Sequence, residues 1–252
     1  MNGKSLGKEG AEMKRLVCIL LMAALLLPFP PGLSEKGHFI RNVRKEPKTG
    51  EKITYWVYEP PEVTEGLPLV IYLHGSSERG ENALATSLPL FIKEGKAVCD
   101  HALLLVPQLP KTFGKWSYVE PLLMEIIDEL VASYGIDESR IALTGFSLGG
   151  LGVWDMAGHY PGRFTRVMPV SGRINEEIFI DAFEMCQLKT YVGTRDDTVD
   201  PATSIAFTQA VIDAGYDAEL IQLDSTHNLM PYKVFKNADA LAWIWMEKGD
   251  KR

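Results

Sequence analysis

From Ile53 onward the chain alternates short apolar runs with amphipathic stretches. Ile53 to Tyr58 alternates and is rich in β-formers, which predicts an early antiparallel strand. Leu69 to Leu73, Ala102 to Val106, Arg140 to Thr144, Thr165 to Val170, Leu188 to Val192 and Glu219 to Leu223 are continuous apolar runs. Runs of that length suit strands buried on both faces of a mostly parallel sheet. Between them the spacing predicts helices over Val119 to Ser133, Leu148 to His159, Glu176 to Phe183, Pro201 to Ala214 and Pro231 to Lys248. Such alternation builds βαβ units and a three-layer α/β domain. No repeat, low-complexity segment or linker divides it.

The first 34 residues read differently. Lys14 and Arg15 precede an apolar run of 12 residues, Leu16 to Leu27, and Pro28, Pro30 and Pro31 end any helix there. A hydrocarbon core needs about 20 apolar residues, so the pattern predicts an export signal and no stable membrane span. Gly32-Leu33-Ser34 supplies the small residues of a cleavage site, placing processing after Ser34 and a single domain over residues 35–252. The expected destination is the periplasm or the extracellular space. Met1 and Met13 both remain open as the start. A lipoprotein cysteine closes its apolar run, whereas Cys18 stands near the beginning of this one.

Charge narrows the partners. Lys and Arg number 26 against 33 Asp and Glu, a net charge of −7, and removal of residues 1–34 leaves 22 against 31, or −9. An acidic chain without a basic patch does not bind nucleic acid. Three cysteines are too few for a disulfide scaffold, and only Cys99 and Cys186 lie beyond the signal; the reading is of two buried free thiols. The five histidines show no H-x-x-x-H or H-E-x-x-H spacing, so no metal site is expected.

The chemistry concentrates at Gly145-Phe146-Ser147-Leu148-Gly149-Gly150, between a predicted strand and a predicted helix. This is the G-x-S-x-G nucleophile elbow in its required context. The turn holds the serine in a strained conformation, and only glycines leave room beside it. A serine hydroxyl needs a base, and that base an orienting carboxylate, in the chain order serine, acid, histidine. His159 lies about three helical turns past Ser147, too far to act on it, which leaves His227, in a loop after the last predicted strand. The acid follows the preceding strand in Thr194-Arg195-Asp196-Asp197-Thr198; Asp196 is preferred to Asp197, with Asp224 read as a turn residue. The oxyanion donors are expected at the amides of Leu148 and Ser76, with Ser77 second, and His74 is expected to brace that loop.

The segments His74-Gly75-Ser76-Ser77-Glu78-Arg79-Gly80, Val106-Pro107-Gln108, Tyr134 to Ile141, Thr144 to Gly150 and Gly193 to Val199 resemble secreted α/β-hydrolases of the carboxylesterase and predicted-peptidase group, related to feruloyl esterases and polyhydroxybutyrate depolymerases. The resemblance implies an α/β-hydrolase fold, with a mostly parallel central sheet of about eight strands flanked by helices. It implies serine hydrolysis of small-molecule or polymer-linked carboxylic esters, polysaccharide or phenolic esters among them, through an acyl-enzyme and with no cofactor. A peptidase using the same triad and a non-catalytic binding scaffold are the alternatives. Members often carry tryptophan where this chain has Met230, and His-Gly where it has Val192-Gly193, which makes Met230 an expected substrate-lining residue. The loop Lys111-Thr112-Phe113-Gly114-Lys115-Trp116 is expected to line one side of the cleft, Trp116 foremost, with aromatics suited to stacking on a sugar or a phenolic acyl group.

Overall fold

The computed structural model describes residues 36–80, 82–174 and 177–246; the expected signal, with Cys18 and the cleavage site after Ser34, lies outside them. Eight strands form one sheet: β1 His38–Lys45, β2 Lys52–Glu59, β3 Leu69–Leu73, β4 Leu103–Pro107, β5 Ile141–Phe146, β6 Arg166–Val170, β7 Gln187–Gly193 and β8 Ala218–Leu223. Their spatial order is β1-β2-β4-β3-β5-β6-β7-β8. β2 is antiparallel to both neighbours, and every pairing from β4 across to β8 is parallel. The helices are α1 Ser87–Lys93, α2 Glu120–Tyr134, α3 Leu148–His159, α4 Ala202–Asp213, α5 Met230–Val234 and α6 Ala238–Trp245.

Strand alternation sorts the core into two layers. Leu69, Ile71 and Leu73 face a cluster shared with Leu122, Ile126, Val153 and Val211 from α2, α3 and α4. Val70 and Tyr72 face the other cluster, with Leu88 and Phe91 of α1, Val234 of α5 and Ile244 of α6. Cys99 and Cys186 are free and buried, one in each cluster, so the sheet stands between them. Burial pushes both thiols up, Cys186 to about 12, which keeps them protonated and unreactive.

Five features depart from the sequence reading. β1 was not predicted: Phe39, Ile40 and Val43 keep no period of two among charged residues, and the strand is held at the sheet edge by full pairing with β2. α1 is a seven-residue helix with Pro89 inside it, too short for a periodic signal. The helix expected from Glu176 is only a 3₁₀ turn, Ile180–Phe183, anchored by buried Phe183; Glu176 itself lies outside the described residues. The helix expected over 231–248 is two, because Asn237 caps a new start by accepting from the Ala240 amide at 2.9 Å; residues 247–248 lie outside the described residues. β8 is an edge strand with no fully buried residue, so burial on both faces holds for β3 and β4 and not for it.

Register places the functional loops. Leu73 pairs with Gly145, Phe146 with Val170, and Gly193 with Leu223. The carboxyl ends of β3, β5, β7 and β8 therefore open at one edge, where open α/β sheets bind ligands. Among the described residues no helix is long and apolar enough to cross a membrane.

Candidate active site

Ser147 sits at that edge between β5 and α3, with φ 57° and ψ −115°, a conformation that side chains rarely adopt. Its amide donates to the Val170 carbonyl at 2.9 Å, fixing the turn against β6. The glycines are dictated by backbone proximity. A Cβ on Gly149 would stand 1.9 Å from the Leu73 oxygen, and one on Gly145 2.7 Å from the same atom and from the Gly149 carbonyl. The turn is strained because β3 and α3 are pressed against it on both sides.

His227 lies in a 3₁₀ turn after β8 and is 5% exposed. Its Nε2 is 2.9 Å from Ser147 Oγ and its Nδ1 2.7 Å from Asp196 Oδ2. The Asp196 side chain is 1% exposed, and its Oδ1 accepts from the amides of Thr198 at 3.0 Å and Val199 at 2.9 Å. Those two N–H groups hold the carboxylate with one oxygen toward the imidazole. Asp197 is exposed and bonds Thr198 Oγ1, while Asp224 pairs with Arg195 on the surface. The line Ser147–His227–Asp196 is a continuous hydrogen-bonded relay.

The segment after β3 reaches the serine from the other side. A Cβ on Gly75 would lie 3.6 Å from Ser147 Cβ. Ser76 follows at the start of a short 3₁₀ turn, so its amide and that of Leu148, first in α3, both lack acceptors within their own helices. His74 lies beneath this segment with no exposure. Its Nδ1 donates to the Gly75 carbonyl at 2.7 Å and its Nε2 accepts from the Leu109 amide at 3.0 Å, which fixes a neutral ring. Glu78 Oε1 accepts from Thr86, and its carbonyl accepts from Gln108. His159, the other histidine after Ser147, pairs with Glu120 at 2.8 Å, away from the relay.

Burial lowers the His74 pKa to about 4. An unfolded chain binds that proton near pH 6.5, so protonation favours unfolding throughout the interval between. Stability is full above pH 6.5 and is lost as the pH falls toward 4, by about 3 kcal/mol from this group. Urea unfolding at pH 7 and pH 4.5 is expected to show a larger fall for the wild type than for His74→Gln. Equal falls would mean that His74 is not buried neutral.

Trp116 and Met230 are both fully buried. The Trp116 indole donates to the His74 carbonyl at 3.2 Å and lies against Gly152 of α3, while Met230 packs 3.4 Å from the position of a Gly193 Cβ. Their rings and chains support the oxyanion and acid loops from below and present no surface to a ligand. Three other aromatic residues stand nearer to solvent, of which Phe113 belongs to the expected cleft loop and Phe146 and Tyr118 were not singled out from the sequence. The Phe146 ring stacks on His227 at 4.8 Å and 35°, and Phe113 and Tyr118 form a tilted pair at 5.9 Å. Phe146 was legible as the variable residue of the elbow; the other two lie in the loop that held Trp116. Among the described residues no group of three or more His, Cys, Asp or Glu side chains could hold a metal ion.

Residues 47–178 match the model of the Esterase family, and residues 116–242 match that of the Phospholipase/Carboxylesterase family. Solved structures repeat the fold. A thermostable esterase superposes with a TM-score of 0.68 at 23% identity, over 82% of this chain and 62% of that one. The chain thus spans less than two thirds of that enzyme. The feruloyl esterase module of Clostridium thermocellum, in complex with sinapinate, gives 0.63 at 14% identity over 90% and 93%. The S-formylglutathione hydrolase of Staphylococcus aureus gives 0.62 at 14% over 83% and 99%. The architecture is therefore that of an α/β-hydrolase. No curated protein matches by sequence.

Proposed function

The chain belongs to the esterase family, a group of carboxylic ester hydrolases, and from that premise we propose that Ser147, His227 and Asp196 carry out the hydrolysis. Ser147 Oγ attacks the ester carbonyl while His227 Nε2 takes its proton. Asp196 holds the imidazole by Nδ1 and stabilises the imidazolium. The amides of Leu148 and Ser76 receive the oxyanion, each worth about 3 kcal/mol in the transition state. His227 then gives the proton to the leaving alcohol, and water releases the acyl group by the same steps in reverse order. The observation that carries this reading is the relay itself, 2.9 Å from serine to histidine and 2.7 Å from histidine to aspartate.

Polysaccharide-linked and phenolic esters are the substrates proposed. The aromatic pair of half-buried Phe113 and exposed Tyr118 supports them, as does the fold's likeness to esterases solved with ferulic acid and sinapinate. The test is a panel of p-nitrophenyl acetate, methyl ferulate and a peptide p-nitroanilide. Both esters are expected to turn over, with the anilide at least about 100-fold slower, since the amide leaves with more difficulty. An anilide faster than either ester would make the enzyme a peptidase.

We propose that the chain is exported. The charged residues Lys14 and Arg15, the 12-residue apolar run and the small residues before Glu35 support a cleaved signal. Expression in a bacterial host is expected to yield a periplasmic or secreted product whose N-terminal sequence begins at Glu35. A product retained in the cytoplasm and starting at Met1 or Met13 would contradict it.

A further inference from the structure

The loop after β4 is fastened to the oxyanion segment. The Gly80 amide donates to the Leu109 carbonyl at 2.7 Å. Arg79 bridges the two stretches, its Nε donating to the Ser76 carbonyl at 3.2 Å and its Nη1 to the Phe113 carbonyl at 3.3 Å. With Trp116 turned into the core, the aromatic rings that remain at the surface here are Phe113, half-buried, and Tyr118, 60% exposed. They stand 5.9 Å apart at 36°, too close to admit a third ring between them, so they offer a continuous platform.

Arg79 is a charged group in the same place. Arg44, Arg163 and Arg195 each pair with a carboxylate, whereas Arg79 meets only backbone carbonyls among the described residues. Its Nη2 donates to no acceptor there, and the side chain is half-buried, which raises the strength of its field over that of a fully hydrated arginine. A cation bonded to the carbonyl of Ser76, beside an aromatic platform, in a chain of net charge −7, is complementary to one kind of substrate.

We propose that Arg79, Phe113 and Tyr118 form a specificity subsite on the oxyanion side of Ser147, taking esters whose aromatic ring carries a carboxylate. The ring lies on Phe113 and Tyr118, and the carboxylate accepts from the free guanidinium edge of Arg79. The inference rests on the ester-hydrolase reading and adds no chemical step to it. It differs from a role for Arg79 as a loop clamp alone, because a clamp affects every substrate equally.

The experiment compares kcat/KM for 4-nitrophenyl benzoate and its ring para-carboxylate analogue, each corrected for spontaneous hydrolysis. The wild type is expected to favour the carboxylate by at least about tenfold, the worth of one hydrogen bond to a charged group. That preference is expected to shrink as salt is raised and to fall to near unity in Arg79→Gln. Replacing Phe113 and Tyr118 together by alanine is expected to slow both aryl esters relative to p-nitrophenyl acetate. No preference in the wild type, or an equal preference in Arg79→Gln, would overturn the subsite. Should Arg79→Gln lose all turnover, a wild-type preference indifferent to salt would overturn it as well. Failure to cleave any of the three esters would instead remove the hydrolase reading on which it stands.

Discussion

Ser147→Ala is expected to lower kcat for p-nitrophenyl acetate by about 10⁵-fold while leaving the far-UV circular dichroism unchanged. The magnitude follows from what the hydroxyl supplies. Without Oγ there is no attacking atom, no acyl-enzyme and nothing for His227 to deprotonate, so turnover retains only what the oxyanion amides and binding give to direct attack by water. The fold survives because alanine keeps the Cβ and the backbone bond from residue 147 to the Val170 carbonyl. It also keeps the strain, since φ remains 57°. Ser147→Gly is equally inactive and is expected to be more stable than Ser147→Ala by about 1 kcal/mol or more, because only glycine accepts that conformation without cost. Initial rates beside thermal melts of the two variants check both statements. Residual activity within tenfold of wild type in either variant would place the nucleophile elsewhere.

Asp196→Asn carries the second large effect, a fall of about 10⁴ in kcat, and the local hydrogen bonds say why. Oδ1 of Asp196 accepts from two amides, Thr198 and Val199. An asparagine there must turn its oxygen to those donors, which points its NH₂ group at His227 Nδ1. The imidazole then has to accept at Nδ1 and carry its proton on Nε2, the tautomer that cannot receive the proton of Ser147. Substrate binding does not depend on that proton, so KM is expected to change little. Asp197→Asn is expected to stay within about threefold of wild type, its side chain being exposed and bonded only to Thr198. Measuring kcat and KM for the two variants side by side decides the assignment. A large fall for Asp197→Asn and none for Asp196→Asn would reverse it.

The strand-turn-helix at Gly145–Gly150 was readable because its demands are local and steric. Glycines at 145 and 149 are needed wherever a helix start is pressed onto the neighbouring strand's carbonyl, and here that atom is Leu73 O. The central parallel strands β4, β3, β5 and β6 were readable as apolar runs, since both of their faces are covered. Chain order then brought His227 and Asp196 forward, and the structure brings both within hydrogen-bond distance of a common line to Ser147. What the sequence could not give was the direction in which a loop side chain points. Trp116, Phe113 and Tyr118 lie within six residues of one another, yet the largest ring is the buried one, drawn inward by the His74 carbonyl and the bare surface of Gly152. Met230 is similar: its place under Gly193 is set by the contact between β7 and α5, which no spacing rule encodes. β1 escaped notice because its stability comes from pairing with β2 rather than from burial of its own side chains.

The central claim is that Ser147 is a nucleophile activated by His227. Incubation of the purified protein with a fluorophosphonate, followed by intact and peptide mass spectrometry, tests it most directly, since the reagent needs the activated serine and no particular substrate. One covalent adduct on the peptide containing Ser147, absent in Ser147→Ala and slowed at least about 100-fold in His227→Ala, is the predicted result. An unmodified, folded wild-type protein, or an adduct on another residue, would contradict the account.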